Sequence, residues 1–338
     1  MSHRSRFLLF ALGLAVFCYL LSQLPLRDLV ENARRTGWLI IPILLVYGAV
    51  YACYNASWRV VMSDERTPIP FWRSYAITLS GFAINYVTPV VNLGGEPYRI
   101  AAATPWLGRR RATGSIILCT MLHGLSHLLI WLTAIALAIA FHPHGAIQVA
   151  GLSVLGLILV GLAALLLTRH DQGFLEALLD LLLRLPWLRR FVQNLEARRP
   201  ALAEVDRQII AFYRGHRRRF FLALGLEYLG RCIAMLEYVL IIWSVGIHVT
   251  VGDAFIIGAF SSLVLNLLFF MPMELGSREG GHYLAFALVG LGPELGIYAA
   301  LITRLREIVW IGTGILLIWF AGRSTPRTAW LKEEVGNP

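Results

Sequence analysis

The chain has 338 residues, of which 57% are hydrophobic and 15% charged, and its mean hydropathy is +0.66. This composition excludes an ordinary soluble globular protein and indicates an integral membrane protein. The formal net charge of +10 comes almost entirely from arginine, because Lys332 is the only lysine. The four cysteines lie in apolar segments without a Cys-x-x-Cys pair, so we predict buried free thiols.

Six apolar segments reach the length of about 20 residues that a helix needs to cross the hydrocarbon core. They cover approximately 7–26, 38–58, 113–141, 146–168, 219–246 and 297–322. The first follows Arg4 and Arg6 and lacks a convincing small-residue cleavage site, so we expect an uncleaved helix. Two further apolar segments, 71–98 and 252–291, are interrupted by prolines and glycines.

The interrupted segments carry related motifs. The first contains Tyr86-Val-Thr-Pro-Val-Val-Asn-Leu-Gly-Gly-Glu-Pro-Tyr-Arg99, and the second contains Phe270-Met-Pro-Met-Glu-Leu-Gly-Ser-Arg-Glu-Gly-Gly281. In both, a Pro precedes a Glu by seven positions, with Leu-Gly between them. Since Pro and Gly break a continuous helix, we predict two hairpins that enter the bilayer and turn back. We expect the turns to depend on Pro89, Gly94, Gly95, Pro97, Pro272, Gly276 and Ser277.

The positions of the arginines predict the topology. Basic residues at both termini, after the first hairpin (Arg99 and 109–111) and in 169–218 share one face if each interrupted segment enters and leaves on the same side. The positive-inside rule makes that face, and both termini, cytoplasmic in an inner membrane. An alternative with eight complete spans, kinked at Pro89 and Pro272, also leaves both termini inside.

This topology predicts two units. Residues 1–145 contain two spans, a cytoplasmic hairpin and a third span, and 146–323 repeat that order. Because each unit crosses the membrane an odd number of times, the second unit is inverted relative to the first. The predicted fold is therefore an all-α polytopic membrane protein with six spans and two re-entrant hairpins in two inverted repeats. Residues 169–218 are expected to form a cytoplasmic insertion, either amphipathic helices attracted to anionic lipid or a solvated connector. Residues 324–338 are expected to be a cytoplasmic tail, and 27–37 to lie on the outer surface.

Charged residues in the hairpins are the first candidates for a site. Glu96 is predicted to cap one returning helix, and Ser277 the other, with Glu279 in its first turn. Both helices would direct free N–H groups at the hairpin tips, a geometry that binds phosphate or carboxylate. The alternative is that each Glu merely caps its helix and pairs with Arg99 or Arg278.

The apolar spans add further candidates. Glu227 and Arg231 are four residues apart and are predicted to pair on one helix face, with Arg231 about halfway across the membrane. Charges at that depth are costly and usually face an interior cavity. Glu237 lies in the same span. Arg304 and Glu307, three apart in the last span, are interpreted in the same way, whereas Arg306 is expected to point elsewhere.

Two histidines, His123 and His127, are four residues apart on one predicted span. That spacing is compatible with zinc, but no His-Glu-x-x-His motif or third ligand accompanies them, which favours core histidines. We predict no metal and no cofactor. Nucleotide-binding signatures are lacking too, so we expect neither ATP-driven transport by this chain alone nor a nucleic-acid partner.

These motifs resemble the transmembrane region of lysylphosphatidylglycerol synthases and their stand-alone relatives, the flippase part of the multiple peptide resistance factor. The resemblance rests on 88–99, on 272–279 and on Arg304. The chain departs from the family pattern in two places: Cys119-Thr-Met-Leu-His123 replaces a Glu-Arg stretch, and Met273-Glu274 replaces Gly-Gly.

The resemblance implies a flippase of the inner membrane that moves an anionic or aminoacylated phospholipid, or another phosphate-linked lipid, between leaflets. We expect the lipid to be made by a separately encoded enzyme, and the oligomeric state stays open. Arginines would bind phosphate, and glutamates would bind an amine, a proton or the arginines of an empty site. The predicted lipid-binding residues are Glu96, Arg99, Arg231, Arg278, Glu279 and Arg304. The alternatives are a membrane-embedded enzyme acting on lipid head groups and a non-transporting partner of a lipid or envelope synthesis complex.

Overall fold

The computed structural model describes residues 26–63, 69–87, 94–142, 145–168, 216–268 and 276–321, and a few single positions between them, such as Glu274. Several predictions fall outside the described residues. They concern the first span at 7–26, Pro89, Pro272, almost all of the insertion at 169–218, and the tail at 324–338.

All regular structure in the described residues is helical, which confirms the all-α prediction. A one-turn 3-10 helix, Gly37–Leu39, connects the first two α-helices. The helices are α1 Leu26–Thr36, α2 Ile40–Met62, α3 Phe71–Val87, α4 Gly95–Leu107, α5 Arg109–Phe141, α6 Ala146–Thr168, α7 Arg217–Trp243, α8 Val251–Leu267, α9 Ser277–Leu288 and α10 Pro293–Ala321.

Hydropathy separates these helices into two groups. Within the described residues, three stretches are long and apolar enough to cross a membrane: Val30–Met62, Arg109–Phe141 and Ala146–Ala164. Helices α7 and α10 are 27 and 29 residues long, which is sufficient for a span, but each carries several charged residues in its middle. The chain is therefore a membrane protein in which the most strongly charged long helices lie inside the bundle.

The first interrupted segment forms two packed helices, α3 and α4. Arg73 in the first turn of α3 lies over the ring of Trp106 near the end of α4, with 5.6 Å from the guanidinium carbon to the ring centre. The two helices therefore run antiparallel and return to the same level. At the other end, Asn85 accepts a hydrogen bond from the N–H of Gly95 (2.5 Å) and donates one to Glu96 (3.1 Å).

The start of α4 differs from the prediction in two respects. Gly94 precedes the helix and Pro97 is its third residue, so the prediction that Glu96 is the cap is wrong. The helix also continues to Leu107, which places Arg99 inside a buried helix and not in the basic connection that follows. The helix extends because Ala101–Ala103 favour helical structure, and Gly108, with φ 73°, ends it.

The second interrupted segment forms α8 and α9. Thr250 and Asp253 make a reciprocal capping box at the start of α8. Gly276, with φ 78°, precedes α9, so Ser277 is the first helical residue and the prediction that it caps the helix is wrong. Glu279 serves the cap instead, by accepting a hydrogen bond from the N–H of Gly276 (2.9 Å).

Helix α7 occupies the centre of the bundle, where it packs along α2 and also against α5 and α8. Helix α10 packs on α3 and α9, while α5 packs on α4 and α8. Helix α6 packs chiefly on α5 and leaves apolar side chains such as Ile147 and Leu157 exposed, as suits a helix facing lipid. This arrangement brings the charged faces of α7, α9 and α10 together inside the bundle.

Candidate functional site: two groups of buried charges

The first group, called the second-hairpin cluster below, consists of arginines and glutamates from α7, α9 and α10, together with Glu274, which lies three residues before α9. It contains Glu237, Glu274, Arg278, Glu279, Arg304, Arg306 and Glu307. All three arginines are buried, and each contacts at least one carboxylate.

Arg278 is the central cation of this cluster. Its guanidinium pairs with Glu274, four residues earlier, and with Glu307 of α10 at 2.7 Å. Arg304 pairs with Glu279 across the interface between α9 and α10 at 2.6 Å. The alternative that Glu279 pairs with Arg278 is therefore not observed: α10, packed beside α9, supplies the arginine that Glu279 contacts.

Arg306 lies inside the bundle, although spacing along the last span predicts that it points elsewhere. It is buried and makes a two-pronged ion pair with Glu237 of α7, at 2.9 and 3.1 Å. Its guanidinium also lies over the ring of Tyr47 at 3.4 Å, and it approaches Glu307 at 3.5 Å. Glu307 thus contacts Arg278 and Arg306 rather than Arg304, so the pairing predicted from spacing in the last span is wrong. The burial of Arg306 could not be read from its position beside Arg304.

The second group, called the first-hairpin site below, is formed by Trp58, Arg99, His123, Glu227 and Arg231. The carboxylate of Glu227 and the Nδ1 atom of His123 form a hydrogen bond of 2.8 Å. Arg231 donates from Nε to Ser126 Oγ (2.6 Å) and from Nη2 to the carbonyl oxygen of His123 (2.9 Å). The predicted direct ion pair between Glu227 and Arg231 is therefore wrong, because α5 provides partners for both side chains.

Arg99 completes the first-hairpin site from α4. It is only 8% exposed, and its guanidinium carbon lies 5.1 Å from the ring centre of Trp58. Its aliphatic part occupies the space beside Gly81, where any side chain would collide with it. The alternative that Glu96 pairs with Arg99 is not observed, since Glu96 contacts Asn85 instead.

The two groups are connected through tyrosines of α2. Tyr54 lies within electrostatic range of both Arg231 and Arg306, and its ring packs edge-on against His123 at 5.0 Å. Tyr51 lies within range of Arg306 and Glu307. The two groups therefore lie within electrostatic range of the same tyrosine, and together they form a polar interior with residues of both hairpins.

Access to this interior is uneven. The His123 side chain is 29% exposed while that of Glu227 is 3%, and both Glu274 and Glu279 are also 29% exposed. The rim of each group is therefore partly exposed, and the arginines are more deeply buried. No group of three His, Cys, Asp or Glu side chains suited to a metal ion occurs in the described ranges. His123 is instead engaged with Glu227.

The fold and the site define a helical membrane protein with a charged interior built from two interrupted segments. The family model for the lysylphosphatidylglycerol synthase TM region matches residues 6–315, so the chain belongs to that family. No match was found among curated proteins or solved structures.

Both departures from the family pattern lie in the site. His123, in the stretch that replaces Glu-Arg, pairs with Glu227. Glu274, in the pair that replaces Gly-Gly, contacts Arg278 and adopts a positive φ of 54°, a conformation that glycine takes more readily. Residues at both departures therefore take part in the ion pairs of the site.

Proposed function

We propose that this protein is a lipid translocator that moves a phospholipid, or another phosphate-linked lipid, between leaflets of the inner membrane. The head group passes through the polar interior while the tails stay in the bilayer. The observation that carries the proposal is the burial of charged residues from both interrupted segments, Arg99 of α4 and Arg278 of α9, in one helical bundle. Buried charges in a membrane are costly and commonly line a substrate path.

The lengths of the returning helices support re-entrant hairpins. Helices α4 and α9 have 13 and 12 residues. At about 1.5 Å per residue they are roughly 20 Å long, shorter than the ~30 Å hydrocarbon core. The contact between Arg73 and Trp106 also favours a hairpin over a single kinked span in the first segment.

The helix packing supports two related units. If α2, α3, α4 and α5 correspond to α7, α8, α9 and α10, the packing of α3 on α10 has its counterpart in α8 on α5. The pairs α4–α5 and α9–α10 correspond in the same way, and α2 packs on its own equivalent, α7. We propose an inverted repeat, with 1–145 and 146–323 as its units, cytoplasmic termini, and hairpins that open to opposite sides.

The charges indicate the kind of lipid. Arginine binds phosphate through a planar fork of donors, and carboxylates suit an amine or a proton. An anionic or aminoacylated phospholipid supplied by a separate enzyme fits this combination.

Reconstitution tests the proposal directly. Proteoliposomes with a fluorescent phosphatidylglycerol in both leaflets are treated with a membrane-impermeant quencher. Protein-free vesicles lose about half of the signal, and vesicles with the protein are expected to lose nearly all of it. Arg304→Gln is expected to reduce the additional loss, whereas Arg218→Gln, at the exposed start of α7, serves as the matched control. Extraction of the lipids then shows whether they are unchanged. A chemically altered lipid without translocation would contradict the proposal and favour an enzyme.

A further inference from the structure

The buried arginines of the described residues differ in how their charge is compensated. Three of the five, Arg278, Arg304 and Arg306, contact carboxylates. Arg231 donates only to neutral oxygens, since the neighbouring Glu227 contacts His123. Arg99 contacts the ring of Trp58, and its Nε atom is buried without a hydrogen-bond partner. The first-hairpin site thus holds the two arginines of this set without a carboxylate in contact.

An arginine in this state is energetically exceptional. A guanidinium removed from water loses its hydration, and a paired anion normally restores part of that loss. An aromatic ring contributes only about 0.5–2 kcal/mol through cation–π attraction. Among the residues described, no carboxylate lies within ion-pair range of Arg99. Its fork of donors is therefore available to an anion that is not part of the chain.

The two arginines belong to one locality. The charges of both Arg99 and Arg231 act on His123, which lies at the partly exposed rim of the site. Tyr54 and Trp58, one turn apart on α2, contact Arg231 and Arg99 respectively. Gly81 leaves the space that lets Arg99 cross from α4 to α2.

We infer that Arg99 and Arg231 form the phosphate-binding subsite of this protein, and that the arginines of the second-hairpin cluster do not bind phosphate directly. The inference rests on the proposed function and assigns one part of its site. The ligand class is a phosphate ester. Arg99 of α4 binds it with its two-pronged fork of donors, and Arg231 of α7 adds a second positive charge. The second-hairpin cluster is rich in carboxylates. It is suited to the cationic part of a head group, or to no part of the head group.

Glu96 does not oppose this assignment. It lies one turn before Arg99, but its Oε1 atom accepts a hydrogen bond from the amide of Asn85, and its buried Oε2 atom makes no ion pair with Arg99. The Cys119 thiol, also within electrostatic range of Arg99, is uncharged when buried in an apolar helix. The carboxylates nearest to the site, Glu96 and Glu227, therefore contact Asn85 and His123 rather than Arg99.

Calorimetric titration of the purified full-length chain in a maltoside detergent tests the subsite. The probes are dihexanoylphosphatidic acid, dihexanoylglycerol and inorganic phosphate. We expect saturable binding of dihexanoylphosphatidic acid and none of dihexanoylglycerol. Inorganic phosphate is expected to bind at least tenfold more weakly, because it lacks the acyl chains. Equal binding of inorganic phosphate would identify a free anion as the ligand and overturn the lipid assignment.

Variants then locate the probe. Arg99→Gln is expected to weaken binding of dihexanoylphosphatidic acid about tenfold or more, as the loss of a charged hydrogen-bond donor implies. Arg99→Lys keeps the charge but loses the planar fork of donors. Its affinity for dihexanoylphosphatidic acid is expected to lie between those of the unaltered chain and of Arg99→Gln. Gly81→Ala keeps the arginine and displaces it, so it is expected to weaken binding about threefold or more. Arg73→Gln removes another tryptophan-stacked arginine outside the site and is the matched control, with binding within twofold of the unaltered chain.

The outcomes separate the subsite from transport. Unchanged binding by Arg99→Gln, with a normal size-exclusion profile, overturns the subsite even if the protein moves lipids. Translocation without any binding of the phosphate probe overturns it too. Binding that depends on Arg99 in a protein that moves no lipid supports the subsite and overturns the translocator proposal.

Discussion

At the scale of single residues, the interior is organised by interhelical ion pairs. Glu237 is 0% exposed, and its only cationic contact among the described residues is Arg306. Removing one partner of a buried pair leaves the other charge without compensation, which typically costs about 3–5 kcal/mol. Replacing both partners by neutral groups costs far less. Single and double substitutions of this pair therefore test whether the two charges serve the stability of the fold.

Arg306→Met is expected to lower the apparent melting temperature and the yield of folded protein, because Glu237 stays buried and loses its partner. The double variant Arg306→Met, Glu237→Gln is expected to recover most of both. Heating followed by fluorescence-detected size exclusion measures this, with Arg218→Met as the exposed control. If the single variant is as stable as the unaltered chain, Glu237 is not held as a charged group by Arg306.

The hairpin glutamates are expected to differ despite their matched positions. Glu279→Gln removes the carboxylate that contacts Arg304 and should reduce lipid translocation at least tenfold. Glu96→Gln retains an oxygen that can accept from Asn85 and should stay within about threefold. Reconstituted translocation rates provide the comparison. Equal losses would indicate that Glu96 has a contact with substrate beyond its contact with Asn85.

At the scale of elements, the first hairpin depends on the close approach of two helices. Gly95 lies against the backbone oxygen of Gly81 and the side chain of Asn85, so there is no room for a methyl group. The same approach lets Asn85 bridge the end of α3 and the start of α4. The contact between the two helices is thus fixed by small residues and one amide.

Gly95→Ala is expected to separate α3 from α4 and to lower the melting temperature by several degrees, since backbone atoms cannot yield as a flexible side chain can. Gly124→Ala, in the middle of α5 with nothing within 4 Å of the added atom, is the control. It is expected to be neutral or slightly stabilising, because alanine favours the helix. A neutral Gly95→Ala would show that the helices can part without cost.

At the scale of the whole molecule, the proposed inverted repeat predicts which side of the membrane each connection faces. Single cysteines at Gly108 and Arg218, in a chain whose native cysteines are replaced, are expected to react with an impermeant thiol reagent only from the cytoplasm. Cysteines at Gly145 and His248 are expected to react only from outside. Labelling of intact cells and of inverted vesicles measures this. Eight complete spans would reverse all four positions, so the result distinguishes the two topologies.

Local properties of the sequence determined the class of protein and the places where its helices stop. Hydropathy gave the long apolar helices, and the Pro- and Gly-rich motifs predicted the breaks after Val87 and Leu267. Both are short-range effects, since burial in lipid and helix termination depend on a few neighbouring residues. The motifs also sufficed to predict the family, which the match to residues 6–315 confirms.

The pairing of charges was decided only by the tertiary structure. Glu227 contacts a histidine 104 positions away, whereas spacing along one helix had predicted Arg231 as its partner. Arg306, which spacing predicted to point elsewhere, contacts a glutamate 69 positions away. In a membrane interior, an ion pair between facing helices stabilises the fold more than a pair along one helix, which contributes only a few tenths of a kcal/mol. Which helices face one another depends on packing across the whole bundle, and that packing leaves Arg99 against Trp58 without a carboxylate.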